Sequence, residues 1–306
     1  MHEGSRRAIV AALVANLGIA VAKFVAFAFT GAASLLAEAV HSVADTGNQA
    51  LLILGGARAR RLPTEEHPFG YGRERYFWGF VVALVLFSLG ALFAIAEGLE
   101  KLVHPHALES PAWAVGVLVL AIALETGSFL TARREANRVR GSQSWASFIR
   151  HAKSPELPVV LLEDVGALTG LVLALVGIGA AAWTGEARYD ALGSVAIGVL
   201  LGGIAVILAI EMKSLLIGEA ATVADVATIR AALSATPHVA RVIHLRTLHL
   251  GPEELLVAAK LAMDPKLDFA AVALVIDEAE RRVRAAVPAA RLIFIEPDVD
   301  RLPRAD

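Results

Sequence analysis

Residues 37–48 read AEAVHSVADTGN and lie inside an apolar segment from about Ala32 to Ala57. On a helix, His41 and Asp45, four residues apart, stack on one face, about 40° apart around the axis. Asn48 returns to the same stripe, and Glu38 sits at its edge. Ionisable side chains deep in a membrane helix are costly and mark an ion path, a relay or a binding site. Imidazole with carboxylate at this spacing is also a donor pair for a divalent transition metal. The alternative is a His–Asp pair that only holds helices together.

The rest of the composition fits a membrane setting. The chain has 306 residues, 57% of them hydrophobic, with a mean hydropathy of +0.63, too apolar for an ordinary soluble protein. A net charge of −2 gives no pointer to nucleic acid. With no cysteine, disulfides and thiolate sites are excluded, so a metal has only His, Asp, Glu, Asn and backbone to hold it. The first apolar segment is long and carries no small-residue cleavage signature, so it reads as a retained membrane helix.

Six segments reach the roughly 20 residues needed to cross a hydrocarbon core: about 8–30, 32–57, 77–102, 111–132, 158–183 and 190–217. Loop charge orients them. The N-terminus and the second and fourth loops carry Arg6, Arg7, Arg58, Arg60, Arg61, Arg73, Arg75, Arg133, Arg134, Arg138, Arg140, Arg150 and Lys153, against Lys101 and Arg188 on the other side. Such asymmetry places both termini in the cytoplasm, and the expected location is the cell inner membrane. The predicted architecture is an all-α six-helix membrane bundle over 1–217, followed by a small cytoplasmic α+β domain over 218–306.

That second domain is ordinary soluble sequence. Thr222–Thr236 has helical spacing with Asp225 in its first turn, Val239–Leu250 and Leu255–Met263 read as strands around Gly251-Pro252, Phe269–Val287 is an amphipathic helix, and Arg291–Glu296 is a last strand. The order helix–strand–strand–helix–strand suits an open sheet with both helices on one face. Its free edges fit it for dimerisation.

The fifth segment, LPVVLLEDVGALTGLVLALVG, holds a second polar patch, Glu163 and Asp164. Neighbours on a helix point about 100° apart, so one is expected to face the interior and the other an interface, water or another helix. If the second and fifth helices pack together, His41, Asp45 and Asp164 give three donors, with Asn48, Glu163 or water as a fourth. Neutral imidazole and carboxylate suit Zn²⁺ best and also take Mn²⁺, Fe²⁺ or Co²⁺. Both ligand types bind protons competitively, so metal loading releases protons and proton loading releases metal.

SLLAEAVHSVADTGNQALL in the second segment, HPFGYGRERY after it, VVLLEDVGALTG in the fifth and YDALGSVAIGVLLG in the sixth together resemble the cation diffusion facilitators, nearly end to end. HSVADTGNQ and LLED are most similar to the branch that contains the vertebrate mitochondrial zinc transporter. The resemblance implies six-helix metal/proton antiporters with a cytoplasmic ferredoxin-like domain, acting as homodimers in the lipid bilayer, with the metal as cargo and no cofactor. It implies a transport site of two residues four apart in each of the second and fifth helices. His41 and Asp45 match the first pair and Asp164 the fifth-helix carboxylate, whereas Val160 stands where its partner belongs. In the loop, His67 matches one position at which some relatives bind metal, with Tyr71 in place of a second His. In the soluble domain His244 matches a regulatory-metal position, Lys260 replaces another His, and His238 and His249 have no assigned partner.

Among other polar residues in the spans, Asn16 is placed to reach a polar path and Lys23 to snorkel or pair with an acid. For Glu97, Glu100, Glu125 and Glu211, helix-packing hydrogen bonds or interface solvation fit at least as well as an ion relay, and Asp190 reads as a cap of its own helix. Gly166, Gly170, Gly193, Gly198, Gly202 and Gly203 permit close helix contact and sliding. Export of a divalent metal for protons leads. The competing readings are an intramembrane metalloenzyme, with Glu163 as its base, and a metal-responsive binding protein.

Overall fold

A computed structural model describes residues 3–300 apart from 107 and 109, with side chains from Leu17 onward, Phe87 excepted. The side chains of Arg6, Arg7 and Asn16, used in the reading above, lie outside the described residues. The helices are α1 (Glu3–Thr30), α2 (Ala33–Arg58), α3 (Glu74–Val103), α4 (Pro111–Arg140), the short α5 (Trp145–His151), α6 (Glu156–Thr184) and α7 (Arg188–Ile217). Among the described residues, α3, α4, α6 and α7 are long and apolar enough to cross a membrane. The described apolar part of α1, Leu17–Thr30, is shorter. At 26 residues α2 is about 39 Å long, but Glu38, His41, Asp45, Asn48 and Gln49 break its apolar run.

Side chains follow a lipid solvent on the outside and close packing within. Phe29, Trp113, Val176, Val199 and Ile210 are exposed on their helices, while Leu35, Leu86, Leu118, Leu171, Ile197, Leu201 and Leu208 are buried together. Small residues set the helix spacing. At the α3–α7 crossing, a Cβ built on Gly198 would lie 2.8 Å from Ala91 O, and one on Gly98 2.8 Å from Ala191 O. Gly177 does the same for α6 against Tyr189 O at 3.0 Å. Gly203 faces open space instead. Through Leu86–Leu92, α3 is π-helical, a local widening frequent at functional sites.

One boundary and one cap differ from the expected ones. Helix α4 continues past residue 132 to Arg140, because ARREANRVR is rich in strong helix formers and nothing stops it before Gly141, whose φ of 59° favours glycine. Asp190 does not cap its own helix. It is buried in the first turn of α7, and its carboxylate accepts from Ala33 N at 2.7 Å, from Ser34 N at 3.2 Å and from Ser34 Oγ. It thereby caps α2, where the N-terminal amides need an acceptor. Lys101 of α3 closes the junction, 3.1 Å from Asp190 Oδ2 and donating to Gly31 O.

The second compact unit comprises Arg58–Tyr76 and Ser214–Asp306. It contains α8 (Val223–Ser234), β1 (Val239–Gly251), β2 (Glu254–Met263), α9 (Phe269–Ala286) and β3 (Ala290–Val299). The sheet order is β1-β2-β3, with β1–β2 antiparallel and β2–β3 parallel across the α9 connection. Both helices pack on one face, with Ile229, Leu233, Val275, Ala279 and Val283 against Val257, Ala259 and Leu261. Thr222 and Asp268 cap them by accepting from Asp225 N (3.1 Å) and Ala271 N (2.7 Å).

Candidate functional site

The α2 stripe forms as its spacing requires. His41 is fully buried, and its Nε2 lies 3.4 Å from Asp45 Oδ2. Neither ring nitrogen of His41, nor Asp45 Oδ1, has a hydrogen-bond partner among the described residues. Buried polar atoms are normally partnered, so such exceptions point to a ligand. The π-helical part of α3 passes close by: a Cβ on Gly90 would stand 4.0 Å from His41 Nδ1.

Helix α6 directs its two carboxylates to two different helices. Glu163 accepts from Asn48 Nδ2 of α2 at 2.8 Å, while Asp164 Oδ1 accepts from Ser128 Oγ of α4 at 3.4 Å. Both are buried, at 5% and 8% exposure, and of the alternatives of interface, water or another helix it is another helix, α4, that Asp164 meets, while Glu163 meets α2. The 100° step between neighbours allows this because α6 is flanked on both sides. A single cleft between the three helices is lined by Ser42, Asp45, Gln49, Glu125, Val160, Glu163 and Asp164. It brings Asp45 together with Glu163 and Asp164, and Asn48 to Glu163. It does not gather three His, Asp or Glu side chains into a ready ligand set; among the described residues none is formed.

A fully buried cation stands beside this cleft. Lys23 Nζ lies 3.1 Å from Glu38 Oε2 and donates to Ser42 Oγ at 2.7 Å. Glu38 in turn reaches α6 where Gly170 leaves room: a Cβ there would fall 2.2 Å from Glu38 Oε1. The Lys23–Glu38 pair thus ties α1 to α2, and Gly170 lets α6 close over it.

The histidines of the loop and of the sheet have other surroundings. The ring of His67 packs against Tyr71 with centroids 4.6 Å apart, and Tyr71 Oη lies 3.2 Å from Thr64 Oγ1. In the sheet, His244 is exposed and paired in register with Lys260. Lys260 Nζ lies 2.8 Å from Glu296 Oε1 and 3.1 Å from Asp298 Oδ2, and these partners hold its ammonium above the ordinary value. A tethered cation thus occupies that acidic corner. His238 is exposed, and His249 Nδ1 is 3.3 Å from Gly251 O.

Sequence reasoning left Glu125 open between packing, interface solvation and ion relay, and did not weigh Ser128 or Gln49. Glu125 and Ser128 are three apart and share a face of α4; that spacing was the one signal available. Which face of α4 meets α6 is a tertiary fact.

Residues 9–217 match the family described as cation efflux transmembrane domain, and residues 222–298 match the cation efflux protein, cytoplasmic domain. The chain is 32% identical over 248 residues to the mitochondrial proton-coupled zinc antiporter SLC30A9 of Xenopus laevis, covering 80% of this chain and 44% of that protein. It is 34% identical over 221 residues to metal tolerance protein C4 of Arabidopsis thaliana, covering 71% and 48%. It is 27% identical over 301 residues to the cation-efflux pump FieF of Cronobacter sakazakii, covering 98% and 94%. The chain therefore spans less than half the length of the first two relatives and nearly all of the third. With a multi-helix membrane domain and a small α+β domain both matched, the chain belongs to the cation efflux family.

Proposed function

We propose that this protein is a secondary transporter that exports a divalent metal, Zn²⁺ foremost, from the cytoplasm in exchange for protons. The carrying observation is the pair of fully buried His41 and part-buried Asp45 at 3.4 Å, with Asp45 in one cleft with Asp164 and Glu163 of α6. A nitrogen and several carboxylate oxygens are a donor set for zinc, with Mn²⁺, Fe²⁺ and Co²⁺ the alternative cargoes. Because protons and metal compete for the same atoms, a pH gradient drives exchange. His41, Asp45 and Asp164 bind the cargo as the helices close on it, with Asn48 and Glu163 positioned alongside. Residues 1–217 form the transport domain, and residues 218–306 form a cytoplasmic domain that pairs two copies. The names of the relatives, a zinc antiporter and a cation-efflux pump, support this reading.

The test is zinc uptake into proteoliposomes under an imposed pH gradient. The wild type accumulates zinc only with the gradient, and His41→Ala and Asp45→Ala abolish the flux. Zinc binding without gradient-driven flux would overturn the proposal. The same assay with Mn²⁺, Co²⁺ and Fe²⁺ ranks the cargoes.

A further inference from the structure

Three features of the cleft bear on how a cation would be held there. Val160, one turn before Asp164 on α6, brings no donor atom to its wall. Asp164 is 8% exposed, turns its Oδ1 toward Ser128 of α4, and leaves Oδ2 without a hydrogen-bond partner among the described residues. Glu125 lies one helical turn before Ser128 on the same face of α4 and lines the same cleft as Asp164 and Asp45. A half-buried carboxylate in a membrane helix is costly unless something cationic visits it. The orphaned Asp164 oxygen lies in the same wall.

We propose that Glu125 of α4 is the further oxygen donor to the transported cation, in place of the donor that Val160 does not supply. The cation site then spans three helices: His41 and Asp45 from α2, Asp164 from α6 and Glu125 from α4. Ligation from three helices also accounts for why no finished ligand set is formed among the described residues: the cation itself draws α2, α4 and α6 together. A hard carboxylate added to a single imidazole shifts preference away from soft ions such as Cd²⁺ toward Zn²⁺ and Mn²⁺.

This inference rests on the transport reading above. It is tested on the full chain in detergent by titration with ZnCl₂, and with CoCl₂, whose visible spectrum reports the ligand set directly. Glu125→Gln keeps the shape and removes the charge. It is expected to weaken Zn²⁺ at least ~10-fold, since even outer-shell partners of a metal are worth ~10–100-fold, and to change the Co²⁺ spectrum. Adding Val160→Asp to Glu125→Gln returns a carboxylate one turn from Asp164 and is expected to recover most of the affinity. The double variant also serves if Glu125→Gln alone does not fold. Unchanged zinc affinity and cobalt spectrum in Glu125→Gln, with binding lost in Asp164→Asn, would remove Glu125 and leave the transport reading standing. Normal binding and flux in His41→Ala, Asp45→Ala and Asp164→Asn would instead remove that reading.

Discussion

Replacing Gly198 with alanine tests how α3 meets α7. The new Cβ would lie 2.5 Å from Ile95 Cγ1, 2.8 Å from Ala91 O and 2.9 Å from Ile95 N. The side-chain atom could turn aside, but the two backbone atoms cannot. Moving Ala91 O from 2.8 Å to an ordinary 3.4 Å displaces α3 by 0.6 Å. Over-packing of this kind costs about 1–3 kcal/mol. Alanine recovers about 1 kcal/mol of helix propensity over glycine in both positions compared here. Gly203→Ala, on the same helix with nothing within 4 Å, is the control that carries the gain without the clash. The difference between the two variants is therefore the clash alone, about 1–3 kcal/mol. At roughly 2–4 °C per kcal/mol for a domain of this size, Gly198→Ala should melt several degrees below Gly203→Ala. Thermal unfolding of both proteins in the same detergent measures this. Equal melting temperatures, or a more stable Gly198→Ala, would refute the close α3–α7 crossing.

Two further outcomes follow from particular contacts. Asp190→Ala strips the buried Lys101 of its carboxylate and the α2 amides of their cap, so it should cost about 3–5 kcal/mol or more, and more than Lys101→Met, which leaves the cap in place. A loss no larger than that of breaking the exposed Arg138–Glu135 pair, about 0–1 kcal/mol, would show that the junction is not formed. In the soluble unit, hydrogen bonds from Arg281 and Arg282 hold the Glu278 carboxyl below its ordinary value. A depressed carboxyl contributes stability above its unfolded value and loses it as pH falls through the folded one. Unfolding followed on both sides of the ordinary carboxylate range should therefore show a smaller acid-side loss in Glu278→Gln than in the wild type; parallel pH profiles would disprove the contribution.

Much of this molecule could be read directly from residue order. The spacing of His41, Asp45 and Asn48 requires a polar stripe on one face of α2, since helical periodicity is a local property of the chain. The strand–turn–strand signal at Gly251-Pro252 and the amphipathic pattern of 269–287 likewise placed these strands and this helix to within a few residues at each boundary, because alternation and capping are local too. What local pattern could not decide was which helix each polar face meets. Glu163 and Asp164 are neighbours in sequence, yet one turns to Asn48 and the other to Ser128, more than a hundred and about thirty-six residues away respectively. Asp190 looked like a cap for its own helix and caps α2 instead, 156 residues distant. Glu125 could not be placed between packing, interface and relay until α4 came to lie along α6. In an apolar solvent every membrane helix shows a similar hydrophobic exterior, so the sequence carries little record of its neighbours. Only packing, through the glycine crossings and the buried polar contacts, selects the partners and so assembles the cleft.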